Sequence, residues 1–159
     1  MAVRALILLL CGGLLLAPGS SACFGPKLYV GLAGGVEAEV MYALTTLYIK
    51  EKTGVESLRV DLAADVDPLH ELVANRLDLA LAAAVGDRPD RVLAHPGYPV
   101  LVSGVRPRED LQFTTVLPAL ARLDRLLATE DLDELVRRVN AGESAMAAVR
   151  RLLMERRWI

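Results

Sequence analysis

Residues 27–54 constrain the fold most strongly, and they read KLYVGLAGGVEAEVMYALTTLYIKEKTG. The apolar run over residues 28–33 contains β-prone side chains and predicts a strand. Two glycines follow, and apolar residues then recur at helical spacing until Gly54, which is the expected helix stop. Glutamates near the start of this helix and lysines near its end complement the helix dipole. The segment therefore predicts a strand, a glycine turn and a helix, in that order.

Two further strands continue the same plan. Residues 58–62 alternate as a strand does, and residues 77–85 form a nearly continuous apolar run, which is typical of a strand covered on both faces. Between them, Asp65 or Asp67 is expected to cap a second helix that has Pro68 in its first turn. Strands that alternate with helices in this way predict a parallel sheet with right-handed crossovers.

The pattern changes after the third strand. Residues 86–99 contain three prolines and two glycines, so we interpret them as a connector. Residues 100–105 are expected to return as a fourth strand, and three helices should follow, beginning near Pro118, at Thr129 and near Ser144. The predicted fold class is α/β: one three-layer domain with a small, mostly parallel sheet of about four strands flanked by helices, and a helical C-terminal part.

The N-terminus has the pattern of a secretory signal. Arg4 precedes an apolar run over residues 5–16, and residues 18–22 supply small side chains for cleavage. The run is shorter than the ~20 apolar residues that a membrane span needs. We therefore expect residues 1–22 to be a signal peptide and residues 23–159 to form one domain of an exported protein.

The two cysteines bear on how the processed chain is anchored. Cys11 lies within the signal, and Cys23 would be the first residue after cleavage. Small residues followed by cysteine resemble a bacterial lipoprotein signal, in which that cysteine is acylated, although Ser20 stands where such signals usually carry leucine. Ser20 and Ala22 also suit an ordinary signal peptidase. The sequence predicts a periplasmic location and leaves open whether a lipid on Cys23 anchors the protein to the membrane.

Composition and residue spacing argue against several functions. The net charge of −2 gives no basic face for nucleic acid. His70 and His95 have no metal-ligand spacing, and Ser103 has neither a base nor an orienting acid in a recognisable pattern. We therefore expect no enzyme activity, no metal and no cofactor.

The glycine turn is the best candidate for a binding site. Free backbone N–H groups at the start of the first helix could hold a carboxylate, and phosphate is a weaker option. The turn is a poor match to the dinucleotide fingerprint, and it also reads simply as a tight connection from strand to helix. The predicted ligand-binding residues are Gly34, Gly35, Val36, Glu37, Asp65 and Tyr98.

Two blocks of short motifs carry a family resemblance. The first block contains Val30-Gly31, Glu37, Glu51-Lys52-Thr53-Gly54, Glu71-Leu72-Val73 and Leu77-Asp78-Leu79. The second contains Arg108-Glu109-Asp110, Pro118, the acidic helix start at Thr129 and a closing helix that ends at Ile159. In this order and spacing, the motifs resemble the substrate-binding component of glycine betaine and choline (quaternary amine) ABC importers.

The resemblance implies a type II periplasmic-binding fold reduced to one lobe. In that family the middle of the chain builds a second lobe, whereas here only residues 86–99 join the two blocks. The implied function is an exported component associated with ABC-type import of quaternary amines, with a quaternary-amine solute, a permease subunit and a second copy of the chain as partners. A quaternary ammonium needs an aromatic cage, and only Tyr98 and Tyr29 are candidates, since aromatic residues make up 4% of the chain. The alternative is a periplasmic protein-interaction module, derived from such a lobe, with no small-molecule ligand.

Overall fold

The computed structural model describes residues 25–159. The predicted signal peptide and the predicted lipidation site at Cys23 lie outside the described residues. No helix in the described part of the chain is both long enough and apolar enough to cross a membrane.

The described residues form an α/β domain with five strands and six α-helices. In chain order they are β1 (Lys27–Leu32), α1 (Val36–Thr53), β2 (Glu56–Asp61), α2 (Pro68–Val73), β3 (Leu79–Ala82), β4 (Arg91–Leu93), β5 (Val100–Ser103), α3 (Arg106–Glu109), α4 (Val116–Leu126), α5 (Thr129–Asn140) and α6 (Ala145–Glu155). A 3-10 turn over Leu111–Phe113 lies between α3 and α4.

The five strands form one mixed sheet in the order β2-β1-β3-β5-β4. β1 pairs in parallel with β2 and β3, as predicted, whereas β5 runs antiparallel to both β3 and β4. The sheet therefore has five strands and is mixed, where a mostly parallel sheet of about four strands was expected, and β5 is the strand that runs in the opposite direction. The chain makes a β4–β5 hairpin there, and antiparallel neighbours need no crossover helix between them.

Residues 86–99 are thus more than a connector, because they contain β4. This strand has only three residues, and its pairing with β5 is irregular between Arg91 and Leu93. So short an element between prolines gives no alternation that a sequence pattern could detect. The predicted return of residues 100–105 to the sheet is confirmed by β5.

The two faces of the sheet are covered very unequally. Leu79 and Leu81 point into the main core, which α1, α4, α5 and α6 cover. Ala80 and Val102 point to the other face, where the six-residue helix α2 supplies Leu72 to a much smaller cluster. Helices therefore lie on both sides of the sheet, as the predicted three-layer arrangement requires, but one of these layers is thin.

The helix ends follow the predicted signals. Gly54 adopts the left-handed conformation (φ 73°) after α1, and its N–H donates to the Lys50 carbonyl at 2.9 Å. Asp67, not Asp65, caps α2, since its Oδ1 accepts the Leu69 N–H at 2.9 Å. Ser144 caps α6 through a bond from the Ala147 N–H.

Candidate functional site

A groove of about 420 Å³ lies at the carboxyl ends of β1 and β3. The chain leaves β1 through α1 to reach β2 on one side, and it returns through α2 to reach β3 on the other side. The strand order therefore reverses at β1, with β2 on one side and β3 on the other, and α1 and α2 cover opposite faces of the sheet. Open α/β sheets bind their ligands at this topological switch point, outside the carboxyl ends of the strands.

Three separate stretches of chain line the groove. They are the turn after β1 with the first turn of α1, the residue after β3, and the hairpin loop before β5. The lining residues are Gly34, Gly35, Glu37, Ala38, Ala83, Gly97, Tyr98 and Pro99.

Four of the six predicted ligand-binding residues meet in this groove. Gly34, Gly35 and Glu37 come from the connection between β1 and α1 and the first turn of α1, and Tyr98 comes from the loop before β5. Val36 and Asp65 do not line the groove. Asp65 is exposed in the loop after β2, a strand that lies beyond β1 and away from the switch point.

The turn at Gly35 needs glycine. Its backbone has φ 127° and ψ 148°, a conformation that side-chain-bearing residues rarely adopt. Gly35 is the N-cap of α1 and makes no side-chain cap hydrogen bond, so the first turn of α1 relies on backbone groups. The Glu37 Oε2 atom lies 3.7 Å from where a β-carbon on Gly35 would stand. This carboxylate therefore sits against the positive end of the helix dipole and offsets it, which weakens the turn as an anion site.

Tyr98 is held in place by a carboxylate outside the groove. Its hydroxyl donates a hydrogen bond to Asp133 Oδ1 on α5 at 2.6 Å. Burial raises the pKa of Tyr98 well above its usual range, and the bond to Asp133 and the negative charge of Glu37 raise it further. A tyrosine hydroxyl is protonated at neutral pH even at its ordinary pKa of about 10, and here it donates that proton to Asp133.

The loop that carries Tyr98 has a second attachment. The Ala94 N–H donates to Asp124 Oδ1 on α4 at 3.4 Å, and His95 Nε2 lies 3.5 Å from the same oxygen. The His95 side chain is only 11% exposed, whereas that of His70 is 73% exposed on α2. His95 thus lies in a loop, as expected, but it packs against α4.

The other side chains considered as candidates for catalysis or ligand binding lie away from the groove. Ser103 is buried, and its hydroxyl donates to the Gly104 carbonyl. Tyr29, the second candidate for an aromatic cage, lies near the start of β1 and so at the opposite edge of the sheet from Gly34. Within residues 25–159, no cluster of three or more His, Cys, Asp or Glu side chains could hold a metal ion.

Sequence reasoning missed the partner of Tyr98. Asp133 is 35 positions further along the chain, and its place beside the groove depends on how α5 packs against the rest of the domain. The acidic start of α5 was the only signal, and acidic first turns are common in helices because they complement the dipole. Gly97 and Pro99 were expected to belong to a connector and not to a groove wall.

Comparisons with known proteins leave the site to be interpreted from its own residues. No family model, no curated protein and no solved structure matches this chain.

Proposed function

We propose that this protein is an exported, solute-binding-like component associated with ABC-type import of small amines of the glycine betaine and choline class. One observation carries the proposal: the groove at the switch point joins the glycine turn and Glu37 to Tyr98, which comes from a distant loop. The motif resemblance supplies the solute class and the importer, and a reduced, one-lobed form of that family supplies the architecture.

The polar groups in the groove favour a positively charged solute. Tyr98 offers an aromatic ring, which attracts an ammonium group by its negative face. Glu37 offers a carboxylate, and neither a lysine nor an arginine is among the described residues that line the groove. The backbone N–H groups near Gly35 give the carboxylate of a zwitterion a weaker site, because Glu37 already offsets the helix dipole there.

Binding to one copy of the chain should be weak. One aromatic ring contributes about 0.5–1 kcal/mol at an exposed site, far less than the closed aromatic cage that a quaternary ammonium uses. A dissociation constant on the order of 1 mM corresponds to about 4 kcal/mol of binding free energy, and this is the range that we expect. A second copy or the surface of a permease would close the open side of the groove.

Calorimetric titration and thermal-shift measurements with glycine betaine, choline and carnitine test the proposal. We expect saturable heat and a raised melting temperature for at least one of them. Glu37→Gln should weaken that binding several-fold, since Glu37 is the only charged side chain among the residues of 25–159 that line the groove. Glu130→Gln is the matched control, because Glu130 is exposed on α5 and does not line the groove. No heat and no thermal shift at millimolar solute would reject solute binding.

A second candidate, the protein-interaction module, is supported by the thinly covered face of the sheet. Tyr29 and Leu58 are Cα partners on β1 and β2, and they remain 42% and 38% exposed. A neighbouring pair of exposed apolar side chains on a sheet face favours contact with another protein surface, and a second copy of the chain is the simplest partner. Light scattering that shows a strict monomer at high protein concentration would reject the dimer.

A further inference from the structure

Within the described part of the chain, the polar side chains that line the groove offer only hydrogen-bond acceptors. Glu37, when ionised, accepts and does not donate. Tyr98 has one hydroxyl proton, and Asp133 takes it through the 2.6 Å bond. The oxygen of Tyr98 therefore presents lone pairs, and its ring presents a negative face.

We infer that Asp133 is a positioning and specificity-determining residue, which fixes Tyr98 as an acceptor and thereby selects amines that keep at least one N–H over fully methylated ones. This inference rests on the proposed function and narrows its solute class. A quaternary ammonium has no N–H and can use only the charge of Glu37 and the ring of Tyr98. A protonated tertiary amine adds an N–H that either acceptor can take.

The position of Asp133 explains why it acts only through Tyr98. Asp133 lies on the first half of α5 and is not among the residues that line the groove. Its bond also orients the phenol ring, which sits on the loop between β4 and β5 and otherwise depends on the attachment of that loop to α4. In Asp133→Asn an amide replaces the carboxylate, and its N–H₂ group can donate to the tyrosine oxygen. The amide oxygen can also accept the hydroxyl proton, but more weakly than a carboxylate does. Whenever the amide donates instead, the hydroxyl proton is free to point into the groove, where it disfavours cations.

Matched pairs of probes that differ by one methyl group test the inference. Dimethylaminoethanol is compared with choline, and dimethylglycine with glycine betaine, by calorimetric titration at neutral pH. We expect the N–H-bearing member of each pair to bind about three- to tenfold tighter, which is the contribution of one partly solvated charge-assisted hydrogen bond.

Two variants and one control assign the selectivity to Asp133. Asp133→Asn should lower the ratio of affinities within each pair, toward the part of the preference that Glu37 supplies by itself. Tyr98→Phe should do the same, and adding Asp133→Asn to Tyr98→Phe should then change nothing further, since the two residues act as one unit. Glu130→Gln, which removes a charge from the same helix, should leave the ratio unchanged. If Asp133→Asn does not fold, Tyr98→Phe still tests the ratio.

The outcomes separate this inference from the proposed function. If quaternary probes bind as tightly as their N–H-bearing partners or tighter, the inference is wrong and solute binding stands. If Asp133→Asn weakens both members of a pair equally, Asp133 has only a structural role and the inference is also wrong. If no probe binds, both the inference and the proposed function fail.

Discussion

Replacing Arg106 with methionine should destabilise the protein through one buried carboxylate. Asp78 has a side chain that is only 2% exposed at the start of β3, and both of its oxygens lie 3.0 Å from Arg106 Nη1. Its other partner is the Tyr29 N–H on β1, at 2.8 Å. Methionine keeps an apolar side chain over the Phe113 ring, where the guanidinium lies 5.2 Å from the centroid. The substitution therefore removes the charge and largely preserves the packing.

The expected loss in unfolding free energy depends on how deeply Asp78 and Arg106 are each buried. Removing one partner from a fully buried ion pair costs about 3–5 kcal/mol, because the remaining charge is left without compensation. The Arg106 side chain is 38% exposed, so water already screens part of the attraction and can solvate the carboxylate in the variant. We expect Arg106→Met to lower the free energy of unfolding by about 2 kcal/mol at neutral pH.

The stability loss caused by Arg106→Met should be larger at neutral pH than at acidic pH. Burial raises the pKa of Asp78 above its ordinary value of 3.8, while the Tyr29 N–H and Arg106 act in the opposite direction. Without Arg106, the pKa of Asp78 rises further. A carboxyl with a raised pKa binds its proton more tightly in the folded state, so stability falls as pH rises through the interval between the unfolded and folded values. The deficit of Arg106→Met should therefore be large at neutral pH and shrink on acidification toward the ordinary pKa.

Urea unfolding provides the assay. The fluorescence of Trp158, which packs against the main core, should report unfolding at pH 7 and at about pH 4 in the wild type and in the variant. Groups that titrate alike in both proteins cancel in the difference. Arg125→Met, an exposed position on α4, is the control and should cost less than ~0.5 kcal/mol. A loss below ~0.5 kcal/mol for Arg106→Met at neutral pH, or an equal loss at both pH values, would refute the reasoning.

Two further changes test the packing and the capping that position the groove. Gly31→Ala should destabilise the protein by about 1–3 kcal/mol, since a β-carbon there would stand 2.3 Å from Leu77 Cδ1. Gly34→Ala is the control, because a β-carbon there meets open space, and it should cost far less in the same urea assay. Asp67→Ala should lower the free energy of unfolding by about 1 kcal/mol, because it removes the cap of α2. Asp65→Ala, two residues earlier, should be nearly neutral. Equal effects of the two substitutions would show that the cap assignment is wrong.

The elements that the sequence predicted well are those with strong local signals. α1 has apolar residues at helical spacing, acidic residues in its first turn and a glycine at its end, and these signals act within a few residues of one another. β1, β2 and β3 also lie within two residues of their predicted starts. β4 escaped prediction because a three-residue strand derives its structure from its neighbour β5 and not from its own pattern.

The same difference between local signals and tertiary packing decides which residues of the candidate site could be predicted. The turn at Gly34 and Gly35 was predictable, because two consecutive glycines between a strand and a helix predict a turn without any tertiary information. Asp65 was also expected at the site. Predicting its absence would have required the strand order, which places β2 beyond β1 and away from the switch point. Asp133 depends on tertiary packing alone.

The topology explains how stretches that are distant in the sequence line one groove. β4 runs antiparallel to β5 and hence in the same direction as β3, so the loop between β4 and β5 falls at the sheet edge where β1 and β3 end. Carboxylates on two helices hold this loop there, with Asp124 beside Ala94 and His95, and Asp133 at Tyr98. The hairpin therefore adds Gly97, Tyr98 and Pro99 to the lining of the groove, and Tyr98 is its one polar side chain there. Since the outer side of the groove stays open, tight binding would need a surface from another molecule, and this is why the oligomeric state and the solute affinity have to be measured together.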